Sequence, residues 1–131
     1  MRRRDFVAGI VVAGAALASW PAWASRWLGG TTASPAEALL AAFRHPDSAA
    51  AVGRAFLAGH PQDADTLVDS VTAGLRCRGC DPAVAGRADL RQAIAHEVRD
   101  DFANGRVVSV DGWVLSATEA RLCGLAALTH A

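Results

Sequence analysis

The chain of 131 residues has no tyrosine and no lysine, and all 13 of its basic side chains are arginine. Aromatic side chains are few, four Trp and four Phe, which argues against a surface that stacks sugars or bases. No serine stands in the Gly-x-Ser-x-Gly setting of a hydrolase nucleophile. No glycine run follows a strand pattern, so a nucleotide-binding loop has no support. No motif implies a cofactor. Long apolar runs are also missing, with one exception: no charge occurs between Phe6 and Ser25. A span needs about 20 residues, and Ser19, Pro21 and the glycines make this stretch a poor one. No other segment could cross a membrane.

That N-terminal stretch is the most informative part of the chain. Arg2-Arg3-Arg4-Asp5-Phe6 leads into an Ala/Gly/Val segment from Val7 to about Ala18. Ala22 and Ala24 supply the small residues of an A-x-A cleavage site, and Pro21 breaks any helix just before it. The pattern resembles a twin-arginine export signal, with Arg3 and Arg4 on the arginine pair and Phe6 on its aromatic position. Val7 replaces the usual Leu, Arg2 the usual Ser or Thr, and Ala8 the common Lys. The resemblance implies passage through the twin-arginine translocase, cleavage after Ala24 and a periplasmic mature protein. The alternative is an uncleaved signal that anchors the protein in the membrane.

Beyond Ala24 remain 107 residues, enough for one small domain. A chain of this size buries roughly 60–70% of its unfolded surface, which allows one modest core. This part holds ten arginines and twelve carboxylates, a net charge of −2, without a basic cluster. Nucleic acid is therefore not an expected partner. Three cysteines lie in it, so at least one thiol is unpaired within a monomer, even in a compartment that permits disulfides.

The pattern predicts a mainly α fold: a small helical domain of about five helices with a two-stranded β-hairpin before the last helix. Residues 25–33 read as a flexible linker and 34–131 as the domain. Ser34-Pro-Ala-Glu37 is a capping box with Pro at the first helical position, starting a helix to about Arg44. Asp47 or Ser48 can cap the second helix, which carries Val52 and Phe56 and stops at Gly59. Asp63 can cap the third, with Leu67, Val68, Val71 and Leu75 as its buried stripe. The fourth runs from about Ala88 to Ala103, with Leu90, Ile94, Val98 and Phe102 every four residues. Its solvated side carries Arg87, Arg91, Glu97, Arg99 and Asp100, and the Asp100-Asp101 pair reads as part of a solvated face, with pairing to nearby arginines or cation binding as the alternatives.

The period then changes from helical to alternating. Val107–Val110 and Trp113–Leu115 flank Asp111-Gly112, a strong signal for a two-residue hairpin turn. Such a turn pairs Val110 with Trp113 and Val108 with Leu115, placing four apolar side chains on one face. Ser116-Ala-Thr-Glu119 repeats the capping box and opens the last helix.

Cys77-Arg-Gly-Cys80 is the only motif with chemical potential. It can close a local disulfide, act as a redox pair or supply two metal ligands. A redox pair wants its first Cys at a helix N-terminus, and Cys77 falls at a predicted helix end; Arg76 and Arg78 can partly compensate. His60, His96 and Cys123 show no metal-ligand spacing, so no metal site is predicted. Cys123 reads as a buried structural residue. His45 and His60 precede prolines at helix ends, and His130 lies in the tail.

A lone hairpin is marginal in water, so its apolar face must cover the helices or a partner, with Trp113 beside the turn able to anchor either. The stretch from Asp101 to Leu128 is similar to a pattern in short exported bacterial proteins of no assigned activity, a similarity that transfers no site residue. The twin-arginine route carries folded cargo, often a cofactor enzyme or a preassembled complex. The resemblance therefore implies an accessory or small subunit of a larger complex, with a periplasmic oxidoreductase subunit as partner. The alternative is a stand-alone periplasmic redox or metal-binding protein using Cys77 and Cys80.

Overall fold

The structure is a computed structural model that describes residues 34–130. The export signal (Arg3, Arg4, Phe6), the cleavage site (Ala22, Ala24) and the linker 25–33 lie outside the described residues. Within them the order is α1 (Pro35–Leu40), α2 (Pro46–Gly59), α3 (Ala64–Cys77), α4 (Arg87–Ala103), β1 (Val107–Val110), β2 (Trp113–Ser116) and α5 (Ala117–Thr129). The fold is thus mainly helical, with an antiparallel hairpin before the last helix.

Local chemistry sets most of the boundaries. The Ser34 hydroxyl accepts the Glu37 amide at 3.2 Å while the Glu37 carboxylate accepts the Ser34 amide at 2.8 Å. The same reciprocal pair opens α5, between Ser116 and Glu119, at 3.0 and 2.9 Å. At the start of α3, Asp63 accepts the Thr66 amide at 2.7 Å. Each pair satisfies backbone donors that no helical carbonyl can reach.

Two expectations about helix ends need correction. The first helix stops at Leu40 rather than Arg44. Beyond it the chain tightens into i→i+3 bonds, Ala42 to Leu39 and Phe43 to Leu40. It then leaves helical geometry at His45, because the residue before a proline disfavours the α region. For the same reason neither Asp47 nor Ser48 caps α2. His45 is the N-cap, without a side-chain bond, and Pro46 occupies the first turn. Proline has its φ preset for that position and no N–H to satisfy.

Helix α5 lies at the centre and touches every other described element. Leu122 and Leu125 meet Leu39, Phe56, Leu67, Val71, Leu75 and Leu90 in one core. Helix α2 approaches α5 so closely that a Cβ built on Gly53 would lie 1.8 Å from the Cys123 carbonyl oxygen. Across the same contact, Gly124 leaves room for the Phe56 and Leu67 side chains, at 3.2 and 3.3 Å from where its Cβ would stand. Alanines 49, 50 and 126 continue the seam. Glycine weakens a helix interior by roughly 1 kcal/mol; here it permits backbone-to-backbone packing that a larger residue would prevent.

The α4 stripe is only partly inward. Leu90 is buried, Ile94 and Val98 are half-buried, and Phe102 is 48% exposed. Asp101, expected on a solvated face, is 2% exposed. Its carboxylate accepts the Thr118 amide and the Arg106 Nε, each at 2.8 Å. A polar requirement of the next helix thus outweighs the burial of Phe102.

Candidate functional site

The hairpin turn is made by Asp111 at φ 49° and Gly112 at φ 82°, the paired positive values of a type I′ turn. The register matches the expected one, Val110 opposite Trp113 and Val108 opposite Leu115. Those four side chains share a face but not an environment. Val110 is 6% exposed, Val108 and Leu115 are half-buried, and Trp113 is 76% exposed. Beside the turn, the face therefore buries Val110 against the helices and leaves Trp113, its cross-strand partner, overhanging them.

Beneath the overhang runs an open groove of about 440 Å³. Ala51, Val52 and Ala55 of α2 form one wall, and Val110, Trp113 and Leu115 of the hairpin form the other. Val52 was expected on the buried face of its helix beside Phe56; it is 36% exposed and borders this groove. The small side chains at 51 and 55 keep the groove open. An exposed indole next to an apolar groove makes this the candidate contact surface, since Trp concentrates binding energy at interfaces.

The Cys77-x-x-Cys80 motif has a structural explanation. Cys77 is the last residue of α3 and is exposed. Gly79 takes φ 77° and donates to the Arg76 carbonyl at 2.9 Å, while the Cys80 amide donates to the Leu75 carbonyl at 3.0 Å. This is the paired bonding of a Schellman helix stop, in which the residue after the left-handed glycine packs on the helix it ends. Cys80 does so and joins the edge of the core. All three cysteines are free thiols.

Neither nearby arginine compensates for the helix end. Arg78 is engaged by Glu97 at 2.6 Å and by Asp100, and Arg76 lies 3.8 Å from Asp81. Burial, with the charges of Asp89 and Asp81, pushes the Cys80 thiol up from its ordinary value. Burial, with Glu119, pushes the half-buried Cys123 up to about 11. The rise at Cys80 runs opposite to what a nucleophilic thiol requires.

Cys80 also borders an open cavity of about 550 Å³ between the α3–α4 loop and α4, lined in part by Asp81, Asp89, Gln92 and His96. Among the described residues, no three His, Cys, Asp or Glu side chains converge to hold a metal ion. His60 stacks on Phe56 with ring centroids 5.1 Å apart, and His45 and His130 stand at helix ends. Glu97 and Asp100, expected in solvent, are the partners of Arg78. Sequence reasoning allowed Asp100 a nearby arginine but could not identify Arg78, because the cluster joins residues about 20 apart. No helix among the described residues is long and apolar enough to cross a membrane.

The chain matches no protein-family model, no curated protein and no solved structure.

Proposed function

We propose that this chain is an exported accessory subunit that binds another protein through the groove between α2 and the hairpin. The observation that carries the reading is Trp113, 76% exposed at the lip of an apolar groove. The N-terminal resemblance supplies the compartment: Arg3-Arg4 with Phe6 directs a folded domain through the twin-arginine translocase, and cleavage after Ala24 releases it into the periplasm. Export of folded cargo through that route suits a subunit that travels with its partner, and a periplasmic oxidoreductase is the partner class the route favours.

The test uses the full chain with a C-terminal tag, expressed in a bacterium that has this translocase. Replacing Arg3 and Arg4 together by Lys is expected to hold the protein in the cytoplasm. Gentle extraction of the periplasm is expected to recover a stoichiometric partner with the wild type and lose it with Trp113→Ala. A clean monomer from the wild type overturns the accessory reading. Equal recovery with Trp113→Ala overturns the surface.

A second reading rests on Cys77 and Cys80, two free thiols of which Cys80 borders the larger of the two cavities described above. It makes the protein a stand-alone redox or metal-binding protein. Thiol titration and elemental analysis of the purified protein, with Cys77→Ser and Cys80→Ser as controls, separate the two.

A further inference from the structure

We infer that the segment seated in the groove is apolar and carries one arginine or lysine, held by Asp111. This rests on the reading of the groove as a protein-binding surface and names the chemistry of what it takes.

The groove's lining is apolar except for one charged residue, Asp111. Its backbone is fixed: the turn holds it at φ 49° between two paired strands, so this residue lines the groove without a loop to order on binding. Among the described residues it takes part in no ion pair. The nearest arginine in sequence, Arg106, is already engaged by Asp101 at 2.8 Å. The described domain as a whole carries nine arginines against twelve carboxylates, and Arg76, Arg78 and Arg106 are spent on partners within it. The described domain is thus net negative by three charges, and a segment bearing a cation beside its apolar face complements Asp111, the one charged residue in the groove's lining.

A second copy of this chain fits less well. Two copies meeting groove to groove about a two-fold axis would offer Asp111 no cation, since an isologous contact presents the same lining from each side and that lining holds none.

Calorimetric titration of the full-length protein tests the inference. The probes are three short synthetic peptides with one leucine–valine apolar face, differing only in a single flanking Arg, Gln or Glu. The Arg peptide is expected to bind about two- to five-fold more tightly than the Gln peptide, as an exposed ion pair allows, and the Glu peptide more weakly than either. Asp111→Asn should erase that preference, bringing the Arg- and Gln-peptide affinities together. Asn-Gly suits the same turn as Asp-Gly, so the hairpin keeps its shape and only the charge is lost. Trp113→Ala should weaken all three by roughly thirty-fold, the scale of a hot-spot residue.

Equal affinity for the three peptides, or a preference that survives Asp111→Asn, overturns the charged-segment inference and leaves the surface standing. Binding that ignores Trp113→Ala overturns the surface itself. Absence of binding by all three peptides overturns the apolar-segment inference, with the periplasmic recovery still judging the surface. Self-association of the wild type in sedimentation, lost in Trp113→Ala, assigns the groove to a second copy and overturns the inference.

Discussion

The Asp101 carboxylate near the end of α4 accepts the backbone amide of Thr118 in the first turn of α5, at 2.8 Å. The two residues are 17 apart in sequence, and the hairpin lies between them. Its other oxygen accepts Arg106 Nε, and its backbone carbonyl accepts the Arg106 amide at 2.8 Å. One side chain therefore ties the α4 terminus, the entry to β1 and the N-terminus of the central helix. An anion is favoured there by the unpaired amides and by the helix dipole.

Asp101→Ala is expected to destabilise the domain by about 1–3 kcal/mol, the cost of leaving a buried donor without its partner. Asp101→Asn should cost less, because its amide oxygen can still accept the Thr118 N–H. Urea denaturation at neutral pH checks both.

The same residue predicts a pH dependence. Burial alone would raise the Asp101 carboxyl, but the Thr118 hydrogen bonds and the Arg106 guanidinium outweigh it and hold it below its ordinary 3.8. Its stabilising contribution is then present above about pH 4, the unfolded value, and is lost as pH falls through the lower folded value. Stability measured from pH 5 to pH 2 should fall more steeply in the wild type than in Asp101→Asn. Parallel curves would show that the carboxylate does not act this way.

Gly53→Ala is expected to cost more than about 1–3 kcal/mol, the usual price of overpacking, because its Cβ would meet backbone rather than a movable side chain. Gly59→Ala is the control. Nothing lies within 4 Å of its Cβ position, so it should be neutral or stabilising by up to about 1 kcal/mol. Thermal unfolding of the two variants compares them directly.

The hairpin should divide between stability and binding. Val110→Ala removes a buried side chain and should cost about 1–2 kcal/mol. Trp113→Ala, at an exposed position, should stay within about 0.5 kcal/mol. Denaturation midpoints that fell equally in both would place Trp113 in the core and remove the basis for the groove.

Thiol accessibility gives a fifth test. At neutral pH a maleimide should label Cys77 first, as the exposed thiol, then Cys80, and Cys123 last, with its thiol raised to about 11. Labelling of Cys123 ahead of Cys77 would contradict the packing of α2 on α5.

Much of this architecture is legible in the amino-acid order because its signals are local. Ser34 with Glu37, Asp63 with Thr66 and Ser116 with Glu119 each act within a single turn. Asp111-Gly112 sets the hairpin register through two backbone angles. Where the local reading failed, two local signals competed or a distant partner intervened. At the start of α2, Pro46 overrode Asp47 and Ser48. On α4, Asp101 turned inward and Phe102 outward because an amide on another helix needed an acceptor.

The candidate surface divides the same way. That Val110 and Trp113 share a face follows from strand alternation alone. That Val110 is buried while Trp113 overhangs a groove was decided by where α2 lies, and that position depends on Gly53 meeting the Cys123 carbonyl across the α2–α5 seam. Likewise, the spacing of Cys77 and Cys80 is written in the chain, but the rise of the Cys80 thiol is set by its burial against the core and by Asp89, which folding brings near. Sequence determines which residues can start, stop and turn the backbone, because those choices are made within a few bonds. Tertiary structure alone decides which apolar side chains are covered and which carboxylates are spent, because burial and charge pairing are properties of neighbours far apart in the chain.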